Sequence, residues 1–194
     1  MKPFHFSLFV IGITTNAFAQ GQIVFYNLGN ESTSPTATSS GLFWISTAGT
    51  PVLINQDFNA ALYAGTDSSN LSLLNIFLLS NGTAIGDNPF PGYFVDPTAT
   101  AYTIQGAFST AFVQVEAWTG NYNSYAAAAA AGAPAAQSAI FVNLVGVPPG
   151  TPPPLLGMPA MVLSTIPEPS TFALVGLGGL STMLFLRRKS GRLI

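Results

Sequence analysis

"TAFVQVEAW", residues 110–118, is the stretch whose reading decides the fold class. Val113, Val115 and Ala117 fall on one face and Gln114 and Glu116 on the other, the period of two shown by a strand with one face buried and one wet. Working outward, short runs of aromatic and β-branched residues recur on both sides. They are "QIVFYN" (Gln22 to Asn27), "GTPVLIN" around Val52, "FNAALYAG" (Phe58 to Gly65), "LLNIFLLS" (Leu73 to Ser80), "GYFVD" (Gly92 to Asp96), "AYTIQG" (Ala101 to Gly106) and "AIFVNLVG" (Ala139 to Gly146). Between them lie "TDSSN", "SNGT", "GDNPFPG" and "TGNYN", built from residues that let a chain reverse. The pattern predicts an all-β body, an antiparallel β-sandwich-like domain over residues 20–146. One exception is "NSYAAAAAAGAPAA", where alanine predicts a short helix from Tyr125 to Ala131, ended by Gly132 and Pro134.

The charge distribution narrows the chemistry. Between Gln20 and Thr165 there is no Lys, Arg, His or Cys, and the carboxylates are Glu31, Asp57, Asp67, Asp87, Asp96 and Glu116. A body without cations has nothing to neutralise phosphates, so no nucleic acid is expected among its partners. Without cysteine there are no disulfides, thiolate nucleophiles or thiolate metal sites, and stability must come from packing.

The two ends differ from the body. Residues 1–19, "MKPFHFSLFVIGITTNAFA", have Lys2, an apolar run from Phe4 to Ile13, and the small-x-small ending of Ala17 and Ala19 before Gln20. This predicts a signal-peptide helix cleaved between Ala19 and Gln20. From Val147 to Pro159, "VPPGTPPPLLGMP" is dense in proline, so residues 147–165 are expected to form an extended, exposed linker. Phe172 to Leu186 carries no charge and "RRK" follows at once. As a helix these residues reach ~22 Å at ~1.5 Å each, short of a ~30 Å hydrocarbon core, a gap that snorkelling Arg and Lys and local bilayer thinning narrow. Residues 171–186 are therefore expected to be a transmembrane helix from Thr171 to Leu186, with the basic tail 187–192 in the cytoplasm and the body outside.

Pro167, Glu168 and Pro169, then an apolar helix containing "ALVGLGGL", then Arg187, Arg188 and Lys189, resemble a PEP-CTERM sorting signal, the tripartite tail of proteins handled by an exosortase in Gram-negative bacteria. The resemblance covers residues 166–192, with Ile166 where the family more often has Val. It implies a substrate: exosortase, a transient partner, is thought to cut at Pro167-Glu168-Pro169, converting a single-pass inner-membrane intermediate into a cell-surface or extracellular protein. Two prolines hold such a site extended and non-helical at the membrane face. The body also resembles small secreted proteins bearing this tail through "ALYAG" (Ala61 to Gly65), "QVEAW" (Gln114 to Trp118) and "SAIF" (Ser138 to Phe141), which implies a fold and no activity.

The body is not expected to be an enzyme, because without His, Cys or Lys only a carboxylate pair is left for acid and base work, and no spacing singles one out. No cofactor is expected, and no metal: Asp67 to Asn70 and Gly86 to Asn88 supply oxygens but lack the alternating acids of a calcium loop. The alternative to a plain surface or matrix protein is a secreted carbohydrate-binding or carbohydrate-active module with an exopolysaccharide as partner. It would use Trp44, Trp118, Tyr122 or Tyr125 to stack on sugar faces.

Overall fold

A computed structural model describes residues 20–165, apart from 48, 79–90, 97 and 99. Its elements are β1 (Gln20–Val24), β2 (Phe43–Thr47), β3 (Thr50–Leu53), β4 (Asn59–Gly65), β5 (Ser72–Leu78), β6 (Ala101–Gln105), β7 (Thr110–Trp118), α1 (Tyr125–Ala130), β8 (Pro134–Gln137), β9 (Phe141–Leu144) and β10 (Met161–Thr165). The strand that decides the fold class from sequence, β7, is also the hub of the structure. It pairs from Phe112 to Trp118 with the whole of β4 and, on its other edge, with β9 near Thr110 and β8 near Trp118.

β8 and β9 together make one partner for β7, interrupted at Ser138. There the Ser138 Oγ accepts from the Val115 amide at 3.0 Å while the Ser138 amide donates to the Val115 carbonyl at 2.8 Å. Eight strands form the larger sheet, in the order β3-β2-β10-β8-β7-β4-β5 with β9 beside β7, and β1 and β6 form a second, two-stranded sheet. Ala60, Leu62 and Ala64 of β4 and Ala111, Val113, Val115 and Ala117 of β7 share one core with Ile23 and Ile104 from the smaller sheet. Phenylalanine fills its centre. Phe94 packs edge-on against Phe25 at 4.9 Å and Phe43 at 5.2 Å, and Phe43 meets Phe58 at 4.8 Å, separations at which aromatic pairs add to their burial energy.

The other face of β7 and β4 carries a smaller cluster. α1 lies over it, burying Ala128 against Ala61, Trp118 and Ala135. Six residues make a helix too short to stand alone. Ser124 caps it by accepting from the Ala127 amide at 3.2 Å, and the cluster beneath supplies the rest. The predicted helix is present, one residue shorter than expected.

Several expectations change. The sheet is mixed, because β10 runs parallel to β2 while every other pairing between strands is antiparallel. Gly92 to Asp96 does not form a strand. Its Val95 makes an isolated bridge with Tyr26, and the Asn27 side chain supplies one rung by accepting from the Phe94 amide at 2.7 Å. β2, β8 and β10 are strands the sequence pattern did not single out.

The largest correction concerns residues 147–165. Residues 147–151 are exposed as expected, but from Pro152 onward the stretch lies on the body, with Leu155 and Met158 fully buried. Proline has no amide hydrogen, yet its carbonyl still accepts. Val24 donates to Pro153 at 3.2 Å, Leu155 donates to Tyr26 at 3.0 Å, and Gly41 donates to Met158 at 2.8 Å. The segment then enters the larger sheet as β10, between β2 and β8, with Met161 and Leu163 in the core. The chain passes so close to its neighbours that a Cβ on Gly41 would overlap the Ala160 backbone and one on Gly157 the Val142 carbonyl.

Asn143 is the main fastening. Its amide donates to the carbonyls of Leu144 and Pro154, both at 3.0 Å, and its Oδ1 accepts from Gly157 at 2.8 Å. Asn143→Ala removes these three part-buried bonds, so unfolding in urea should show a loss of about 1–3 kcal/mol. A loss below about 0.5 kcal/mol, the range of ordinary surface changes, would mean that the segment is held without it.

Candidate functional site

The described carboxylates are Glu31, Asp57, Asp67, Asp96 and Glu116, while Asp87 lies outside the described residues. Three of them have clear structural work. Asp67 closes a turn, its Oδ1 accepting from the Ser69 amide at 2.8 Å and the Ser69 hydroxyl at 2.9 Å, and these bonds hold its pKa below the usual carboxylate value. The turn thus engages one carboxylate oxygen of Asp67 in the side-chain-to-backbone bond typical of such bends.

Asp96 is buried at 1% exposure and does the same for the chain beyond it. Its Oδ1 accepts from the Thr98 amide and hydroxyl, both at 2.6 Å, and its Oδ2 accepts from the Tyr102 hydroxyl at 2.8 Å. Tyr102 also accepts from the Asn75 amide, so β5, β6 and the loop after Val95 meet at one hydroxyl. Burial first, then the Asp96 hydrogen bond and charge, push the Tyr102 phenol up from its ordinary pKa.

Glu116 stands on the face of β7 away from the main core. Tyr63 of β4 donates to its Oε2 at 3.2 Å and Gln137 of β8 donates to its Oε1 at 2.9 Å. Burial raises the Glu116 pKa in spite of these two bonds, which lower it. The Tyr63 phenol is raised too, by burial and then by the Glu116 charge and hydrogen bond. The partners of these three carboxylates are Ser, Thr, Tyr and Gln, never a second carboxylate. Among the described residues there is no group of three or more His, Cys, Asp or Glu that could hold a metal ion.

The aromatic residues weighed for sugar stacking are mostly spent on packing. Trp118 is fully buried and its indole nitrogen donates to the Tyr122 carbonyl at 2.8 Å. Trp44 is buried as well. Tyr122 and Tyr125 are half-buried against the cluster under α1. The signal for Trp118 was in the sequence: it continues the Gln114 and Glu116 face to the point where the alanine helix follows and covers it.

Both ends of the described body bear on sorting. Gln20 is the first residue of β1, paired with Gln105, while Ala17 and Ala19 lie outside the described residues. Thr165 is the last residue of β10. Pro167, Glu168 and Pro169, the span expected from Thr171 to Leu186, and Arg187, Arg188 and Lys189 all lie outside the described residues. Among the described residues no helix is long and apolar enough to cross a membrane.

The raised Glu116 pKa has a definite sign for stability. The folded state holds this proton more tightly than the unfolded chain, so the contribution favours folding at low pH and is lost as pH rises through the raised value. Glu116→Gln keeps an acceptor for Tyr63 and removes the titration. The melting temperature of the variant relative to the parent should therefore increase from acid to neutral pH. A relative melting temperature that falls over that range would assign the carboxylate a stabilising role.

Comparison with known proteins adds one finding. No curated protein and no solved structure matches the chain. Residues 165–189 match the family model described as the PEP-CTERM protein-sorting motif, beginning at the last residue of β10. The match covers the tail alone: the chain carries a PEP-CTERM protein-sorting motif at residues 165–189.

Proposed function

We propose that the chain is a cell-surface or extracellular-matrix protein without catalytic activity, exported by its first 19 residues and sorted by its tail. The sorting motif at residues 165–189 is the observation that carries this reading. In this reading Thr171 to Leu186 holds the chain in the inner membrane, Arg187, Arg188 and Lys189 stay in the cytoplasm, and an exosortase acts at Pro167-Glu168-Pro169. The body it delivers is a β-sandwich-like domain, a reading supported by the core that the two sheets share. Its carboxylates serve turns and strand faces, which supports a structural role over a chemical one. Sugar binding is the competing reading, and the burial of Trp118 and Trp44 counts against it.

Replacing Pro167, Glu168 and Pro169 by alanine should leave the body in the membrane fraction of cells that release the parent. Unchanged release would refute sorting by this motif. The purified body should bind nothing on a glycan array, and selective binding there would favour the carbohydrate-binding alternative.

A further inference from the structure

We propose that the folded body controls its own release: the end of β10 must leave β8 before the tail can be cut. The proposal rests on the sorting reading above and on where the last strand sits. β10 ends at Thr165 and the sorting motif begins two residues later, at Pro167. The five residues from Ile166 to Ser170 separate the sheet from the apolar segment, and fully extended they span at most ~17 Å. A peptidase grips its substrate as an extended chain through main-chain hydrogen bonds on both sides of the bond it cuts. Upstream of Pro167 those residues are Ile166, Thr165, Ser164 and Leu163, and the last three belong to a strand already paired in the sheet.

The structure grades the hold on this strand. Met161, Val162 and Leu163 pair with Phe43, Trp44 and Ile45 of β2, and Met161 and Leu163 are buried in the core. The next two residues are held by β8, Ser164 opposite Ala135 and Thr165 opposite Pro134. Pro134 has no amide hydrogen to give, and its carbonyl is taken by the Thr119 amide at 2.9 Å on the β7 side. That leaves Ser164 opposite Ala135 as the rung by which β8 holds the end of β10. Thr165 itself is exposed.

Such an end frays at far lower cost than the strand behind it. Opening Ser164 and Thr165 lengthens the accessible chain from five residues to seven, and Leu163, anchored in the core, stops the opening there. The released body then keeps Met161 to Leu163 paired with β2 and seated in the core, so the cut does not unravel the sheet.

The test uses the full chain in cells that process it, following conversion of the membrane-bound form to the released form by pulse-chase. The chain has no cysteine, so the double variant Pro134→Cys with Thr165→Cys can close only one disulfide within a chain. Residues directly opposite across antiparallel strands lie within disulfide reach. When oxidised this variant should be released several-fold more slowly than the parent, and reductant should restore the rate. A flexible ten-residue Gly-Ser insert between Thr165 and Ile166 should speed release and abolish the effect of the disulfide. Release of the oxidised double variant at the parental rate, or an insert without effect, would overturn the gating proposal. The alanine replacement of Pro167-Glu168-Pro169 is the separate control: if it blocks release while the disulfide and insert do nothing, sorting stands and gating falls. If it fails to block release, the sorting reading falls.

Discussion

Buried side-chain amides hold the last part of the chain against the first, and the architecture depends on them. A chain without cysteine or cations in its body cannot close itself with disulfides or ion pairs. Asparagine does that work here. Asn143 fastens Pro154 and Gly157, and Asn30 donates to the Gly41 carbonyl at 2.8 Å and reaches the Leu155 carbonyl at 3.4 Å. Asn27 bridges Gly92 and Phe94. A buried amide left unpaired costs more than a made bond gains, so each such side chain fixes the two segments it joins. With the proline-rich segment fixed, β10 is delivered to the gap between β2 and β8.

That position sets β10 beside the sorting motif. The strand that completes the larger sheet adjoins the segment matched by the sorting motif. Core and motif therefore lie on neighbouring residues of one chain, with Leu163 in the core and Pro167 in the motif.

The absence of cations also explains how the carboxylates are used. With no Lys, Arg or His within the body, Asp67, Asp96 and Glu116 find their donors among amides and hydroxyls: Ser69 for Asp67, Thr98 and Tyr102 for Asp96, Tyr63 and Gln137 for Glu116. Two of these sets close a turn in the adjacent chain, and the third bridges three adjacent strands across one sheet face.

The sequence by itself determined the features that rest on local chemistry. The alternation of Val113, Val115 and Ala117 marked β7 because a strand places every second residue on one face. The run from Tyr125 marked α1 because alanine favours helix, and the order of Pro-Glu-Pro, apolar segment and basic cluster marked the sorting signal now matched at residues 165–189. Tertiary structure alone decided the fate of residues 152–165. Proline there reads locally as an extended connector, and nothing local reveals that Asn143 holds the Pro154 carbonyl or that Asn30, far away in sequence, reaches the Leu155 carbonyl. "MVLST" does alternate, yet five residues are too few to distinguish a central strand from a linker until β2 and β8 stand on either side. Strand pairing is a contact between segments far apart in the chain, so its partners and its parallel direction exist only once the whole body has folded.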